Sequence, residues 1–176
     1  MSASEDMSEE LIEVKPEFMG IQTTGYVGAF PPAVERRVGQ IAEHPLLHLF
    51  SGRSRLGDVR VDLERPEATI NCDVLEFVRN HNADYKFVIA DPPYELYNAD
   101  EKLRQYASKV AVSASIPLRT AIEEYLRLHV DNVLWFDYCI PPFRGFGRYK
   151  VWLYAPHGWA KIRALTWLKR KGERLI

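Results

Sequence analysis

The run Phe87-Val88-Ile89-Ala90 stops on Asp91-Pro92-Pro93-Tyr94, and no other stretch restricts the fold of this chain as much. Its length and composition are those of a strand buried on both faces, the kind found in parallel sheets covered by helices. Each proline fixes its own φ and carries no amide hydrogen, and Pro92 also drives Asp91 into an extended conformation. The strand must end there, which puts Asp91 at its carboxyl end, where open α/β sheets keep their ligands. The Asp91 carboxylate and the Pro92 carbonyl then form a stiff acceptor edge with no donor from the next two peptide units. Such an edge suits an amino group with two hydrogens to give, and Tyr94 adds a flat face for stacking a heterocycle that carries it. A proline-stiffened turn after a buried strand accounts for the same four residues.

Three segments precede this edge. Leu46-Leu47-His48-Leu49-Phe50-Ser51-Gly52 is an apolar run entering a glycine, Val59-Arg60-Val61-Asp62 is a short strand ending on an acid, and Asn71-Cys72-Asp73-Val74-Leu75 carries a second acid. In this order, with Asp91-Pro92-Pro93-Tyr94 last, they resemble the class I S-adenosylmethionine (SAM)-dependent methyltransferases, specifically the amino-methyltransferases of adenine in DNA. The resemblance covers roughly residues 25–97. It implies an α/β fold with a Rossmann-like sheet of seven mostly parallel strands and a C-terminal antiparallel hairpin.

The same resemblance implies site residues. Asp91, Pro92, Pro93 and Tyr94 would be catalytic, and S-adenosyl-L-methionine would be the cofactor. Its methionine part would lie along His48, Phe50, Ser51 and Gly52, its ribose on Asp62, and its adenine amine near Asp73 and Val74. Ala90 and Asp91 would border it, and Phe30, in Gly28-Ala29-Phe30-Pro31-Pro32, would close over it. This chain departs from the family in the first loop, with His48 at the position of an acid and a single glycine, Gly52, before Gly57. A neutral, hydrogen-bonded histidine inside a strand is the plainer reading of His48. No cluster in the sequence supports a metal.

The links between the first three strands are short. Residues 51–57 and 64–68 are seven and five residues, too few for the helical crossover of a dozen or more that usually joins parallel strands. Extended, non-helical returns are expected instead. One face of the sheet then lacks two covering helices, and an exposed apolar flank is expected there. Either residues 11–21 cover it or a second copy does, as a homodimer.

Composition fits one compact domain over residues 21–176 behind a flexible acidic tail over residues 1–20. At 176 residues, 47% hydrophobic and 27% charged, the chain can bury a substantial core. No stretch approaches a membrane span, and MSASEDMSEE is acidic where a secretory signal is basic, so a cytoplasmic protein is expected. Cys72 and Cys139 fall in apparent strands as small buried hydrophobes.

A formal net charge of −1 does not advertise a nucleic-acid binder, but a local basic face suffices. Residues 141–150 interleave aromatics with Arg and Lys in a glycine-rich loop, and Lys169-Arg170-Lys171 follows the last expected strand, where a soluble tail is the plainer reading. Phe143, Arg144 and Arg148 are therefore candidates for holding substrate beside Tyr94 and Tyr97, although a hairpin loop with a solvated rim explains the first cluster equally. Downstream of Tyr94, helices are expected over residues 101–110 and 117–128 and strands over 133–140, 149–154 and 162–168, with residues 96–116 as a lid. Upstream, a helix is expected over residues 33–42.

The expected function is SAM-dependent methyl transfer to an exocyclic amine, adenine in DNA foremost. RNA, a protein amide, or a non-catalytic nucleic-acid-binding role are the alternatives. Known relatives that read DNA sequence carry a separate recognition region, and no block of that size exists in this chain.

Overall fold

The computed structural model describes residues 31–93, 116–154 and 162–172, together with the backbone of 13–17. Eight strands form one sheet: β1 (Glu13–Glu17), β2 (Leu46–Leu49), β3 (Val59–Asp62), β4 (Ile70–Asn71), β5 (Tyr85–Ala90), β6 (Val130–Asp137), β7 (Phe146–Tyr154) and β8 (Arg163–Arg170). Their order across the sheet is β1-β7-β8-β6-β5-β2-β3-β4. All neighbours run parallel except β8, which is antiparallel to both β6 and β7. The seven strands from β2 onward form the Rossmann-like sheet with its antiparallel C-terminal pair, as the sequence leads one to expect. β1 is an addition. It pairs with β7 at one edge, so residues 13–17 extend the sheet there and do not lie over the flank of β2–β4. Pro16 is tolerable in β1 because an edge strand needs donors on one side only.

Side-chain alternation along the strands builds two cores. Leu47, Leu49, Val88, Ala90, Val133 and Trp135 point to the face covered by α2 (Val74–Asn80) and α3 (Ile116–His129). Leu46, Phe87, Ile89, Leu134, Phe136, Trp152 and Leu165 point to the opposite face, where Val34 and Val38 of α1 (Pro32–Ile41) pack. Pro32 opens α1 at the first helical position, where its missing amide hydrogen is no loss. α3 presents Ile122, Tyr125 and Leu126 to the sheet, with Leu118 partly buried beside them. The helix expected over residues 101–110 and the lid over 96–116 lie outside the described residues, apart from Ile116 at the start of α3.

The links β2–β3 and β3–β4 are non-helical, as their lengths require. The flank they leave is not apolar. On the α1 face, β3 offers Arg60 beside His48, and its guanidinium donates to the Gly57 carbonyl at 2.8 Å and the Glu67 carbonyl at 2.9 Å. One side chain thus ties both short links together where a helix would otherwise lie. The Arg60 stem supplies the cover and its head satisfies backbone acceptors, which corrects the expectation of exposed hydrophobic surface there.

Two further expectations need correction. Cys72 and Cys139 lie just past the ends of β4 and β6 and not within strands, and Cys139 is exposed. Residues 141–150 are not a hairpin loop: β7 runs parallel to β6, so residues 138–145 cross from the carboxyl end of the sheet to its amino end, and Phe146 already belongs to β7.

The amino end is locked by Arg170. Its guanidinium donates to the carbonyls of Leu126 (3.0 Å), Arg127 (2.6 Å) and Val130, closing the last turn of α3 onto β8. These are carbonyls that a helix end leaves without intrahelical partners. Arg170→Ala strands them in a largely buried place, and a loss of about 3 kcal/mol in urea unfolding is expected. A loss under about 0.5 kcal/mol would show that water replaces the guanidinium.

Candidate active site at the carboxyl edge of the sheet

Register places the candidate residues in a row. Leu49 is opposite Val61 on one side and Ala90 on the other, and Ala90 is opposite Trp135. One residue further on, Asp62, Phe50, Asp91 and Phe136 stand abreast at the carboxyl ends of β3, β2, β5 and β6. The sheet order reverses between β2 and β5, since β3 and β4 are added on one side of β2 while β5 and β6 are added on the other. This is the switch point at which open α/β sheets form a ligand crevice. Phe50-Ser51-Gly52 and Asp91-Pro92-Pro93 therefore flank one cleft position.

The first loop carries local strain. Phe50 has φ 58° and Gly52 φ 55°, both left-handed. A bulky side chain in that region costs about 1–2 kcal/mol, and such residues concentrate at binding sites. Ser51 between them is buried, with its amide donating to the Val61 carbonyl at 3.0 Å. Its hydroxyl is buried without a hydrogen-bond partner. Ser54, further along the loop, donates its hydroxyl to Glu35 at 2.6 Å and fixes the loop to α1.

Asp62 closes the loop from the far side. Its Oδ2 accepts from the Gly52 amide at 2.9 Å, and its Oδ1 from the amides of Glu64 at 3.2 Å and Arg65 at 3.1 Å. Of about four lone-pair sites on a carboxylate, three are taken. Asp73 is the N-cap of α2, accepting from the Leu75 amide at 2.8 Å, and Val74 behind it is buried. His48 is fully buried in β2 with Nδ1 3.2 Å from the Leu56 carbonyl, and burial lowers its pKa to about 4. It is a neutral core histidine whose Nδ1–H donates to Leu56, as its plainer reading has it.

Asp91 is the most perturbed group of the edge. Burial pushes its carboxyl up to about 8, Asp137 adds repulsion, and Arg163 partly offsets both. Ala90 and Pro92 on either side are buried, and Asp91 itself is half-buried between them. Phe30, Tyr94 and Tyr97 lie outside the described residues.

Asp137 and Arg163 complete the edge and were not singled out from the sequence. Asp137 is 2% exposed at the end of β6 and accepts from Trp135 Nε1 (3.1 Å), the Tyr138 amide (2.6 Å) and Cys139 Sγ (3.4 Å). A signal existed: Val133-Leu134-Trp135-Phe136-Asp137 repeats the pattern of an apolar run ending on Asp. Arg163 begins β8, with its guanidinium 4.4 Å from the Phe136 ring centre and 5.1 Å from that of Tyr154. No sequence pattern marks it.

Of the residues expected from the basic loop, Phe143 packs beside the edge, whereas Arg144 and Arg148 are engaged elsewhere. Phe143 is buried, edge-on to Trp135 at 5.0 Å. Arg144 is ion-paired with Glu123 of α3 at 2.6 Å. Arg148 pairs with Leu168 near the amino end of β7. A cavity of about 560 Å³ between α2 and α3, lined by His81, Tyr125 and His129 among others, also lies toward the amino end and holds none of the candidate residues. Among the described residues, no group of His, Cys, Asp or Glu could hold a metal ion, and no helix is long and apolar enough to cross a membrane.

No protein-family model matches the sequence, and no curated protein matches it. Among solved structures the chain is similar to "Putative methyltransferase yhhF from Escherichia coli", at 10% sequence identity and a TM-score of 0.47, with 88% of this chain and 98% of that chain covered.

Proposed function

We propose that the protein transfers a methyl group from SAM to an exocyclic amino group, adenine in DNA foremost. The observation that carries this reading is the abreast placement of the Phe50-Ser51-Gly52 loop and the Asp91-Pro92-Pro93 edge at the switch point of the sheet. SAM supplies an electrophilic methyl on a sulfonium. The cleft fits such a group: Ser51 offers a buried hydroxyl with no hydrogen-bond partner, and the left-handed Gly52, lacking a side chain, lets the backbone approach closely. Asp62 keeps about one acceptor position for a ribose hydroxyl beyond those it gives the loop.

The chain's own part follows from charge. An exocyclic amine is a weak nucleophile because its lone pair is delocalised into the ring. Asp91 and the Pro92 carbonyl, by accepting its two hydrogens, favour a pyramidal nitrogen with the lone pair free. Transfer would break the methyl–sulfur bond, release a neutral thioether and leave positive charge on that nitrogen; the ionised Asp91 would stabilise this charge and be placed to take the proton the amine must lose. Tyr94, next in sequence, supplies the stacking face. For duplex DNA the base must first leave the stack, at about a few kcal/mol.

Mass spectrometry of nucleosides from DNA and RNA incubated with labelled SAM tests the reading, the expected product being methylated adenine from DNA. Label in neither nucleic acid, with SAM bound in calorimetry, would move the activity to protein amides. Ser51→Ala sharpens the cofactor part: it removes an unsatisfied buried hydroxyl, so stability holds or rises by up to about 1 kcal/mol while SAM affinity falls about fivefold to tenfold. Unchanged affinity would remove Ser51 from the site.

A further inference from the structure

The face of β7 and β8 turned toward α1 carries a feature that the carboxyl edge does not use. The β7–β8 register breaks between Arg148, opposite Leu168, and Lys150, opposite Trp167, so Tyr149 is the extra residue of a β-bulge. A bulge re-aims the side chain it inserts. Tyr149 consequently meets the Trp167 ring at 4.7 Å, edge-on, while remaining 50% exposed. Trp167 continues to Trp152, stacked at 6.5 Å and 14°.

Cations gather on these rings. Lys169 Nζ lies 3.5 Å from the Tyr149 ring centre and 4.8 Å from that of Trp167. Lys150 and Arg37 each lie 5.7 Å from the Trp152 ring centre. Lys171 joins them across Gly147, where a Cβ would come within 2.9 Å of Lys171 Cε; the bare backbone leaves the lysine stem room to lie over the strand. One exposed tyrosine ring beside a partly buried tryptophan, set among ammonium groups, matches a strand of nucleic acid, whose bases stack on aromatics and whose phosphates take the cations. In a chain of net charge −1, the positive charge of this patch is a local arrangement and not a bulk property.

We infer that Tyr149, Trp167, Lys169 and Lys171 form a docking platform for single-stranded nucleic acid, separate from the carboxyl edge. Asp91 lies three strands away and about two to three residues further toward the carboxyl end, a separation of about 16 Å. The platform would hold the strand flanking the target base; that placement alone rests on the methyl-transfer reading.

Fluorescence anisotropy with a labelled twelve-nucleotide single strand, without SAM, tests the platform independently of turnover. Tyr149→Ala and Lys169→Gln are each expected to weaken binding about tenfold, Tyr149→Phe to leave it unchanged, and Lys169→Gln to lower the salt slope by about 0.7. A four-nucleotide strand should bind more weakly than the twelve-nucleotide one yet still respond to both substitutions, because it can occupy the platform without reaching the edge. Affinity for the long strand unaltered by both substitutions overturns the platform, as does a wild-type protein that binds no single strand but captures an acidic peptide there. Binding that follows these substitutions without methyl transfer overturns the activity and leaves the platform standing.

Discussion

Asp91→Asn is expected to lower methyl transfer at least about 100-fold while making the protein more stable in alkaline solution. Both effects come from the same burial. Enclosing the carboxyl raises it from 3.8 to about 8, which means that the fold disfavours its ionised form. Between those two values the folded state holds a proton that the unfolded chain has released. Stability linked to Asp91 is fully present below about pH 4 and is lost as pH rises toward 8, by roughly 1.4 kcal/mol per pH unit at most. An amide at position 91 never ionises, so thermal unfolding of Asp91→Asn should match the wild type at pH 4 and exceed it at pH 9. Catalysis runs the other way. The amino hydrogens need an ionised acceptor, so kcat/KM should climb about tenfold per pH unit below 8 and level off above it. A flat profile with full activity at pH 6 would remove Asp91 as the acceptor, and equal stability at pH 9 would show that its carboxyl is solvated.

The parts of this edge that were legible in the sequence are those carried by contiguous residues. The run from Phe87 to Pro93 specifies a buried strand, its end and its acid through local rules alone. The same holds for Asp62 at the end of β3 and for the lack of helices in two links too short to contain them. Partnerships across the chain were not legible. Arg144 resembles a phosphate ligand in sequence, but its partner Glu123 stands 21 residues earlier on a helix, and only the fold brings them to 2.6 Å. Arg60 reads as a polar residue in a strand, and its role over two links depends on carbonyls at Gly57 and Glu67 that no periodicity reveals. Tyr149 breaks strand alternation because of a bulge, which leaves no local mark beyond the glycine two residues before it. β1 was hidden for a different reason: Glu13-Val14-Lys15-Pro16-Glu17 has neither β-branched density nor freedom from proline, and its pairing comes from the exposed edge of β7.

Gly57→Ala is expected to unfold the region around the first loop and to cost about 2–4 kcal/mol overall. Gly57 sits at φ 103°, where side chains are strongly disfavoured, and a Cβ there would lie 3.2 Å from His48 Cβ and 3.3 Å from the carbonyl oxygens of both Leu46 and Val59. Two of those three neighbours are strand backbone, and the third belongs to a fully buried histidine, so none can yield cheaply. The seven residues from Ser51 to Gly57 leave no slack to relax into. Movement at Gly57 also breaks the Arg60 contact to its carbonyl, and with it the cover that joins the two short links. Because Ser51 and Gly52 precede Gly57 in the same link, displacement there should weaken SAM binding as well as stability. Urea unfolding and calorimetry on one preparation separate the two effects. A variant as stable as the wild type would mean that the β2–β3 link has another conformation available, and the abreast placement of loop and acceptor edge would then lose its structural basis.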